Sequence, residues 1–364
     1  MLLLYALASI VLTNCAYYLL FSKFSFLKQR KVTYKEPYPV SLIVCAKNEA
    51  ENLRNNIPRY LAQKYPHFEL ILINDTSIDD TLAVMEKFQE NDPRIQIVDI
   101  TSNEAFWGSK KYALTLGIKK AKNRRMLFTD ADCYPSSEDW LTEMVSKLSE
   151  EKQLVLGYGA YGRQPGLLNT LIRFETVMTA IQYFSYAAAN NPYMGVGRNL
   201  AYTSPLYYNT NGFMSHMKVP SGDDDLFVNE AATNDNTALC FTENAFTYSK
   251  PKTTWSSWIL QKRRHISTAH LYKLKHKTAL ALFYLTNLLF WLLAGLSFFF
   301  VSWELVTAVI VFRFLIQYIV IGSGIRKLKE KGLLLFLPFL ELFLLLIQLS
   351  IFISNSRSKP KHWN

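Results

Sequence analysis

The chain has 364 residues, half of them hydrophobic, and a formal net charge of +11. This length holds one substantial soluble domain plus a membrane part. The lysines and arginines gather beside apolar spans rather than on one soluble face, so anionic lipid accounts for the charge and nucleic-acid binding is set aside. The cysteines (Cys15, Cys45, Cys133, Cys240) show no metal-ligand spacing and read as free thiols in a reducing compartment.

Residues 2–22 carry no charge and are long enough to cross a bilayer. Lys23, Lys28, Arg30 and Lys31 follow, with no small-residue cleavage site between. The pattern predicts an uncleaved anchor over 1–22, its C-terminal end in the cytoplasm. From about residue 36 strands and helices alternate. Val40–Ala46, Phe68–Asn74, Arg94–Ile100 and Met126–Thr129 read as strands. Glu49–Gln63, Ile78–Gln89, Lys110–Lys122 and Glu138–Leu148 read as helices. Such repeats predict a mostly parallel sheet covered on both faces, with ligand bound at the carboxyl ends of the strands. After Gln153 the rhythm loosens into an apolar run Leu154–Tyr161, a helix around Gly166–Ala189 and an extended piece Met194–Tyr202.

The soluble domain is placed at 36–250 and an interfacial amphipathic segment at 251–276. A C-terminal membrane region follows at 278–354. Its first two spans are 278–301 and 303–322, and Arg313 in the second is expected to face protein or a polar cavity. The basic run Arg326–Lys331 marks a cytoplasmic loop. The last stretch, 332–354, reads either as a third span or as a re-entrant segment kinked near Pro338 and Glu341.

Phe128-Thr-Asp-Ala-Asp-Cys133 runs a short apolar strand into two carboxylates, Asp130 and Asp132. Hard oxygen ligands at a strand end suit a divalent cation held against a diphosphate. Asp75, directly after the second strand, is a candidate base or ribose ligand, whereas Ser77 and Asp79 read as helix caps. Gly108-Ser-Lys-Lys opens a helix whose lysines are either diphosphate neighbours or merely solvated. Gly157-Tyr-Gly-Ala-Tyr-Gly162 matches a dinucleotide fingerprint but follows the fifth strand instead of the first, so that site is rejected. Ser221-Gly-Asp-Asp-Asp-Leu226 is either a solvated acidic turn or the source of a general base. In Trp255–His265 an aromatic, cationic helix contains Arg263 and Arg264, whose guanidinium groups match phosphate oxygens.

Taken in order, VSLIVCAKNEAENL, LILINDTSIDDT, GSKKYAL, FTDADC, SGDDDL and QKRRH resemble the motifs of membrane-bound family 2 glycosyltransferases. These enzymes have the GT-A fold, and the likeness is to their cellulose, chitin and hyaluronan synthase branch. The resemblance implies an α/β GT-A domain with N- and C-terminal transmembrane helices, facing the cytoplasm from a multi-pass cell-membrane protein. It implies inverting transfer from a nucleotide-diphospho-sugar, with uridine favoured, to a hydroxyl of a lipid-linked or glycan acceptor. Asp224 is then the catalytic base; Asp75, Lys110, Asp130, Gln261 and Arg264 bind nucleotide and diphosphate; Asp130 and Asp132 hold Mg²⁺ or Mn²⁺. Gly195, Gly197, Asn199 and Asp223 are expected on the acceptor side. His265 stands where the processive members have tryptophan, so single transfer fits at least as well as polymerisation. Membrane lipids are expected partners and an oligomer is compatible. The rival readings are a polyprenyl-phosphate glycosyltransferase and a non-catalytic membrane scaffold on the same fold.

Overall fold

The computed structural model describes residues 1–29, 37–100 and 110–357. The chain divides into two compact units, one of 1–28, 163–189 and 252–360, the other of 29–162, 190–251 and 361–364. Arg30, Lys31, Gly108, Ser109, Lys359 and Lys361 lie outside the described residues.

The mixed unit carries all the strands. In chain order, after helix α1 (Leu2–Ser25) of the helical unit, it runs β1 (Val40–Ala46), α2 (Ala50–Leu61), β2 (Phe68–Asp75), α3 (Thr81–Asn91), β3 (Ile95–Ile100), α4 (Lys110–Lys120) and β4 (Arg125–Asp130). Next come β5 (Cys133–Pro135), α5 (Trp140–Val145), β6 (Leu154–Leu156) and β7 (Gly159–Tyr161). Past helix α6 (Leu167–Ala188), which belongs to the helical unit, follow β8 (Leu200–Thr203), α7 (Ser204–Asn209), α8 (Asp225–Ala231), β9 (Thr237–Leu239) and β10 (Thr247–Ser249).

The large sheet has the order β3-β2-β1-β4-β8-β6-β9. Its first four strands are parallel, β8 runs antiparallel to β4 and β6, and β9 is parallel to β6. This is the mostly parallel α/β sheet expected. The central strands are long apolar runs without alternation because helices cover both faces; all eight residues of β2 are buried. Gly117 on α4 lets that helix lie on the sheet, since a Cβ there would sit 2.3 Å from Ile73 Cδ1. A second sheet, β5-β10-β7, has β10 at its centre, antiparallel to β5 after the acid pair and parallel to β7 of the apolar run after Gln153.

The helical unit contains α1, α6, α9 (Trp255–Ile266), α10 (Leu274–Phe300), α11 (Trp303–Lys327) and α12 (Leu337–Arg357). Four of its segments are long and apolar enough to cross a membrane: Leu2–Ser25, Leu274–Phe300, Trp303–Lys327 and Leu334–Arg357. Pro338 falls in the first turn of α12, where a missing N–H costs nothing, and the helix continues to Arg357. Arg313 is 0% exposed and faces protein, as expected. Its guanidinium donates to Glu341 Oε1 at 2.6 Å, Asn287 Oδ1 at 2.6 Å and Asn14 Oδ1 at 2.9 Å, so one cation joins α1, α10, α11 and α12. Gly324 on α11 allows Ile181 of α6 to approach; a Cβ there would meet its Cδ1 at 2.6 Å.

Candidate functional site

The candidate site lies on the carboxyl edge of the large sheet. Register places Cys45 of β1 opposite Asp130 of β4, and Ala46 opposite Asn74 of β2, so three strand ends open side by side. The turns that leave them are tight. Asn48 and Thr76 have φ of 57° and 52°, and a left-handed β-branched residue is rare outside functional turns. The turns also tie each other: Asn48 N–H donates to Ser77 Oγ at 3.0 Å and Asn48 Oδ1 accepts from Ile78 N–H at 2.9 Å. Asp79 accepts from the backbone N–H of Thr81 and of Ala50, which makes it the cap of two helix starts. Asp75 is buried at the end of β2; burial raises its carboxyl and Lys47 pulls it partly back.

Lys110 opens α4 at the centre of the site. Its Nζ lies 2.6 Å from Asp130 Oδ1 and 2.8 Å from Asp223 Oδ2. One cation thereby joins the acid pair after β4 to the acid triplet before α8, two motifs far apart in the chain. Burial opposes the Lys110 charge, but Asp130, Asp223 and Asp224 outweigh it and hold the ammonium well above its ordinary pKa. Lys111 is not solvated either. It is 1% exposed and donates to the carbonyls of His216 and Val219, both at 2.7 Å, pinning the loop that leads into the triplet. Burial brings its pKa down to about 8.

The solvated-turn reading of the triplet fails for Asp223 and Asp225, which are both buried. Asp224 caps α8: its Oδ1 accepts from Asp225 N–H and its Oδ2 from Gly197 N–H, each at 2.7 Å. Burial first, then Asp223 and Asp225, push its carboxyl up to about 7 against the pull of Lys110 and the Gly197 N–H. Burial alone would raise Asp223 as well, but Lys110 reverses the sign and holds it below its ordinary value. The two neighbouring carboxyls thus differ in proton affinity, the arrangement that separates a permanent charge from a group able to exchange a proton near neutral pH.

Ligand atoms of Asp130, Asp132 and Cys133 lie within 4.8 Å of one another. The Cys133 thiol donates to Asp132 Oδ1 at 3.2 Å and lies 2.9 Å from Ser249 Oγ. Burial, reinforced by Asp132 and Asp130, raises it well above an ordinary thiol. The two carboxylates are the hard donors of the group and suit Mg²⁺ or Mn²⁺.

Two residues expected on the acceptor side are placed elsewhere. Asn199 is 0% exposed; its amide donates to the carbonyls of Tyr158 at 2.9 Å and Ala245 at 2.7 Å, and accepts from Trp140 Nε1 at 3.0 Å. A fully used amide inside the core binds no acceptor. Gly195 packs against Leu156 and Leu200, which would stand 3.0 Å from a Cβ there. Gly197 and Asp223 do line the cleft, together with Lys110, Asp130, Asp224 and Tyr202. Gln261 and Arg264 lie on α9 of the helical unit.

Arg198, between Gly197 and Asn199, was not singled out from sequence. Its Cζ stands 4.3 Å over the Tyr161 ring and its Nη1 reaches Ala160 O at 3.4 Å. The triple-glycine run has its explanation here. A Cβ on Gly157 would strike the Asn199 amide at 2.5 Å, and one on Gly159 would strike Arg198 Cβ at 2.9 Å. Those glycines make room for two side chains, not for a dinucleotide.

Residues 41–205 match the family described as Glycosyl transferase family 2. An "Uncharacterized glycosyltransferase" of Haemophilus influenzae is 27% identical over 173 residues, 47% of this chain and 50% of that one. A poly-beta-1,6-N-acetyl-D-glucosamine synthase of Staphylococcus aureus is 28% identical over 166 residues, 46% of this chain and 37% of that one. The chain therefore spans half or less of the length of these curated relatives. Among solved structures, the mannosyltransferase PcManGT from Pyrobaculum calidifontis, in complex with GDP-Man and Mn²⁺, superposes with a TM-score of 0.59 at 16% identity, covering 91% of this chain and 99% of that one.

Proposed function

We propose that this chain, whose residues 41–205 match Glycosyl transferase family 2, transfers a sugar from a nucleotide-diphospho-sugar, UDP-linked in the first instance, to a hydroxyl of a membrane-associated or lipid-linked glycan. The observation that carries this reading is Lys110 bridging Asp130 and Asp223, because it makes one site of the acid pair and the triplet.

In this site Asp75 accepts from the nucleoside at the end of β2. Asp130 and Asp132 would hold the divalent ion, which supplies charge to the donor diphosphate when bound. Lys110 adds a fixed positive charge beside them. Asp224 takes the proton of the acceptor hydroxyl as that oxygen attacks the anomeric carbon from the face opposite the leaving diphosphate, which gives inversion. Its carboxyl, poised at about 7, is half ionised near neutral pH, where a base of that strength works best. Gly197 N–H holds the same carboxylate in place. From the family resemblance Gln261 and Arg264 are assigned to the leaving diphosphate, and the soluble domain to the cytoplasmic side of a multi-pass membrane protein.

The test is turnover across a panel of nucleotide-sugars by the full chain in lipid nanodiscs, with and without Mn²⁺. Consumption of one donor that needs the metal and vanishes in Asp132→Ala establishes the activity and names the sugar. A folded protein that neither binds nor consumes any donor leaves the scaffold reading.

A further inference from the structure

Arg198 is a half-buried cation at the mixed unit's site whose donors the fold leaves largely unspent. Its contacts are a single long hydrogen bond to Ala160 O at 3.4 Å and the stack on Tyr161 at 4.3 Å. No carboxylate among the described residues lies in ion-pair range of it, although Asp132 and Asp130 are close enough to act on its charge. Two buried arginines of the helical unit behave differently. Arg173 is paired with Glu330, and Arg313 with Glu341. An arginine kept only for stability is normally saturated in that way, because its five N–H donors cost free energy when left dry.

The fold instead spends residues to hold this guanidinium in one orientation. Gly159 has no side chain where a Cβ would stand 2.9 Å from Arg198 Cβ and 3.3 Å from its Nε. Tyr161, two residues along the same strand, sets its ring 4.3 Å from the Arg198 Cζ, a cation–π contact that uses none of the guanidinium N–H donors. The main chain is fixed as well: Arg198 O accepts from Thr129 Oγ1 and Thr247 Oγ1, both at 2.9 Å, tying it to β4 and β10. Immediately before it, Gly197 N–H holds Asp224. A stacked, edge-open guanidinium beside a pair of metal-type carboxylates matches a phosphate oxygen, in a bidentate geometry that lysine cannot reproduce.

We infer that Arg198 is a further anion-binding residue of this site, taking a phosphate group of the substrate, and that Gly159 and Tyr161 are the cradle that orients it. The inference rests on the functional reading above. Phosphate reaches such a site from two sources, the donor diphosphate or a lipid phosphate on the acceptor.

The experiment measures the affinity of the full chain in nanodiscs for UDP with Mn²⁺ and, separately, for farnesyl phosphate, by calorimetry, in wild type, Arg198→Ala, Arg198→Lys and Gly159→Ala, with melting curves as the folding control. A donor contact raises the UDP Kd at least tenfold in Arg198→Ala, with Arg198→Lys recovering only part of the loss. Gly159→Ala, which keeps the arginine but crowds its stem, then weakens UDP in the same direction. An acceptor contact leaves UDP unchanged and produces the same pattern with farnesyl phosphate. If Arg198→Ala does not fold, Arg198→Lys, which keeps the charge and the stem, carries the comparison alone. Wild-type affinity for both probes retained within twofold in the folded variants overturns the inference and leaves the functional reading standing. A folded wild type that binds neither probe overturns both.

Discussion

The backbone N–H of Gly197 donates to Asp224 Oδ2 at 2.7 Å, and Asp225 N–H donates to Oδ1 of the same carboxyl at the same distance. These bonds orient the group, yet they do not fully offset its burial between two other acids, and it rests at about 7. If Asp224 is the base, kcat/KM falls tenfold per pH unit below that value and levels off above it. Asp224→Asn should lower turnover by about 10²–10⁴-fold with little change in donor affinity, read as kcat against Kd. Unchanged turnover would instead favour an acceptor that is already ionised, such as a polyprenyl phosphate.

Stability carries a second signature of the same group. A carboxyl whose pKa rises on folding, here from 3.8 to about 7, binds its proton more tightly in the folded state. Its stabilising contribution is complete below the unfolded value and disappears as pH rises through the folded one. The fall in melting temperature between pH 5 and pH 8 should therefore be shallower in Asp224→Asn than in wild type. The slope is the readout, since an asparagine N–H₂ set against backbone donors shifts the whole curve. Equal slopes would show that Asp224 does not titrate in this window.

Lys110 sets the sign for its neighbours. With the ammonium removed in Lys110→Met, Asp130 and Asp223 keep their burial and lose the cation they share at 2.6 and 2.8 Å. Asp223, depressed in the wild type, contributes stability above its unfolded pKa that is lost as pH falls through the folded value. In the variant that dependence inverts, because protonation now relieves an uncompensated charge. The expected loss is about 3–5 kcal/mol at pH 8, shrinking toward pH 5, and thermal melts at the two pH values check it.

Asn199 separates a packing role from a binding one. Asn199→Ala deprives Trp140 Nε1 of its acceptor and the Ala245 carbonyl of its amide donor, while the Tyr158 carbonyl keeps the Thr247 N–H. Each orphaned buried group costs about 1–3 kcal/mol, so the melting temperature should drop by several degrees. Donor and acceptor KM should hold in whatever fraction remains folded. A normal melt with a raised acceptor KM would return Asn199 to the acceptor side.

The parts of this fold that were legible in sequence are those written locally. β1 spans Val40–Ala46 as expected because an unbroken β-branched apolar run between a proline and a polar turn has no other stable use, and Asp75 and Asp130 sit at strand ends because the apolar runs stop there. Asn199 and Arg198 were not legible in that way. What decides their roles is Trp140, Ala245, Gly159 and Tyr161, which reach them only through the pairing of β7 with β10 and the return of β8 to β4. The burial of Asp223 and Asp225 was hidden for the same reason: three consecutive acids look solvated until Lys110 arrives from another element.

The helical unit offers a test that needs no substrate. Arg313 and Glu341 form an ion pair at 2.6 Å, with Asn14 and Asn287 taking the remaining guanidinium edges. Removing one partner strands a charge in an apolar bundle, so Glu341→Ala should destabilise the helices by about 3–5 kcal/mol. Removing both partners strands no charge. Arg313→Leu with Glu341→Leu should recover most of that loss, although Asn14 Oδ1 and Asn287 Oδ1 then lose their guanidinium donor, and the double variant should melt well above Glu341→Ala in detergent. A double variant no more stable than the single one would mean that the cluster acts through its asparagine contacts and the shape of the helix interface rather than through the ion pair.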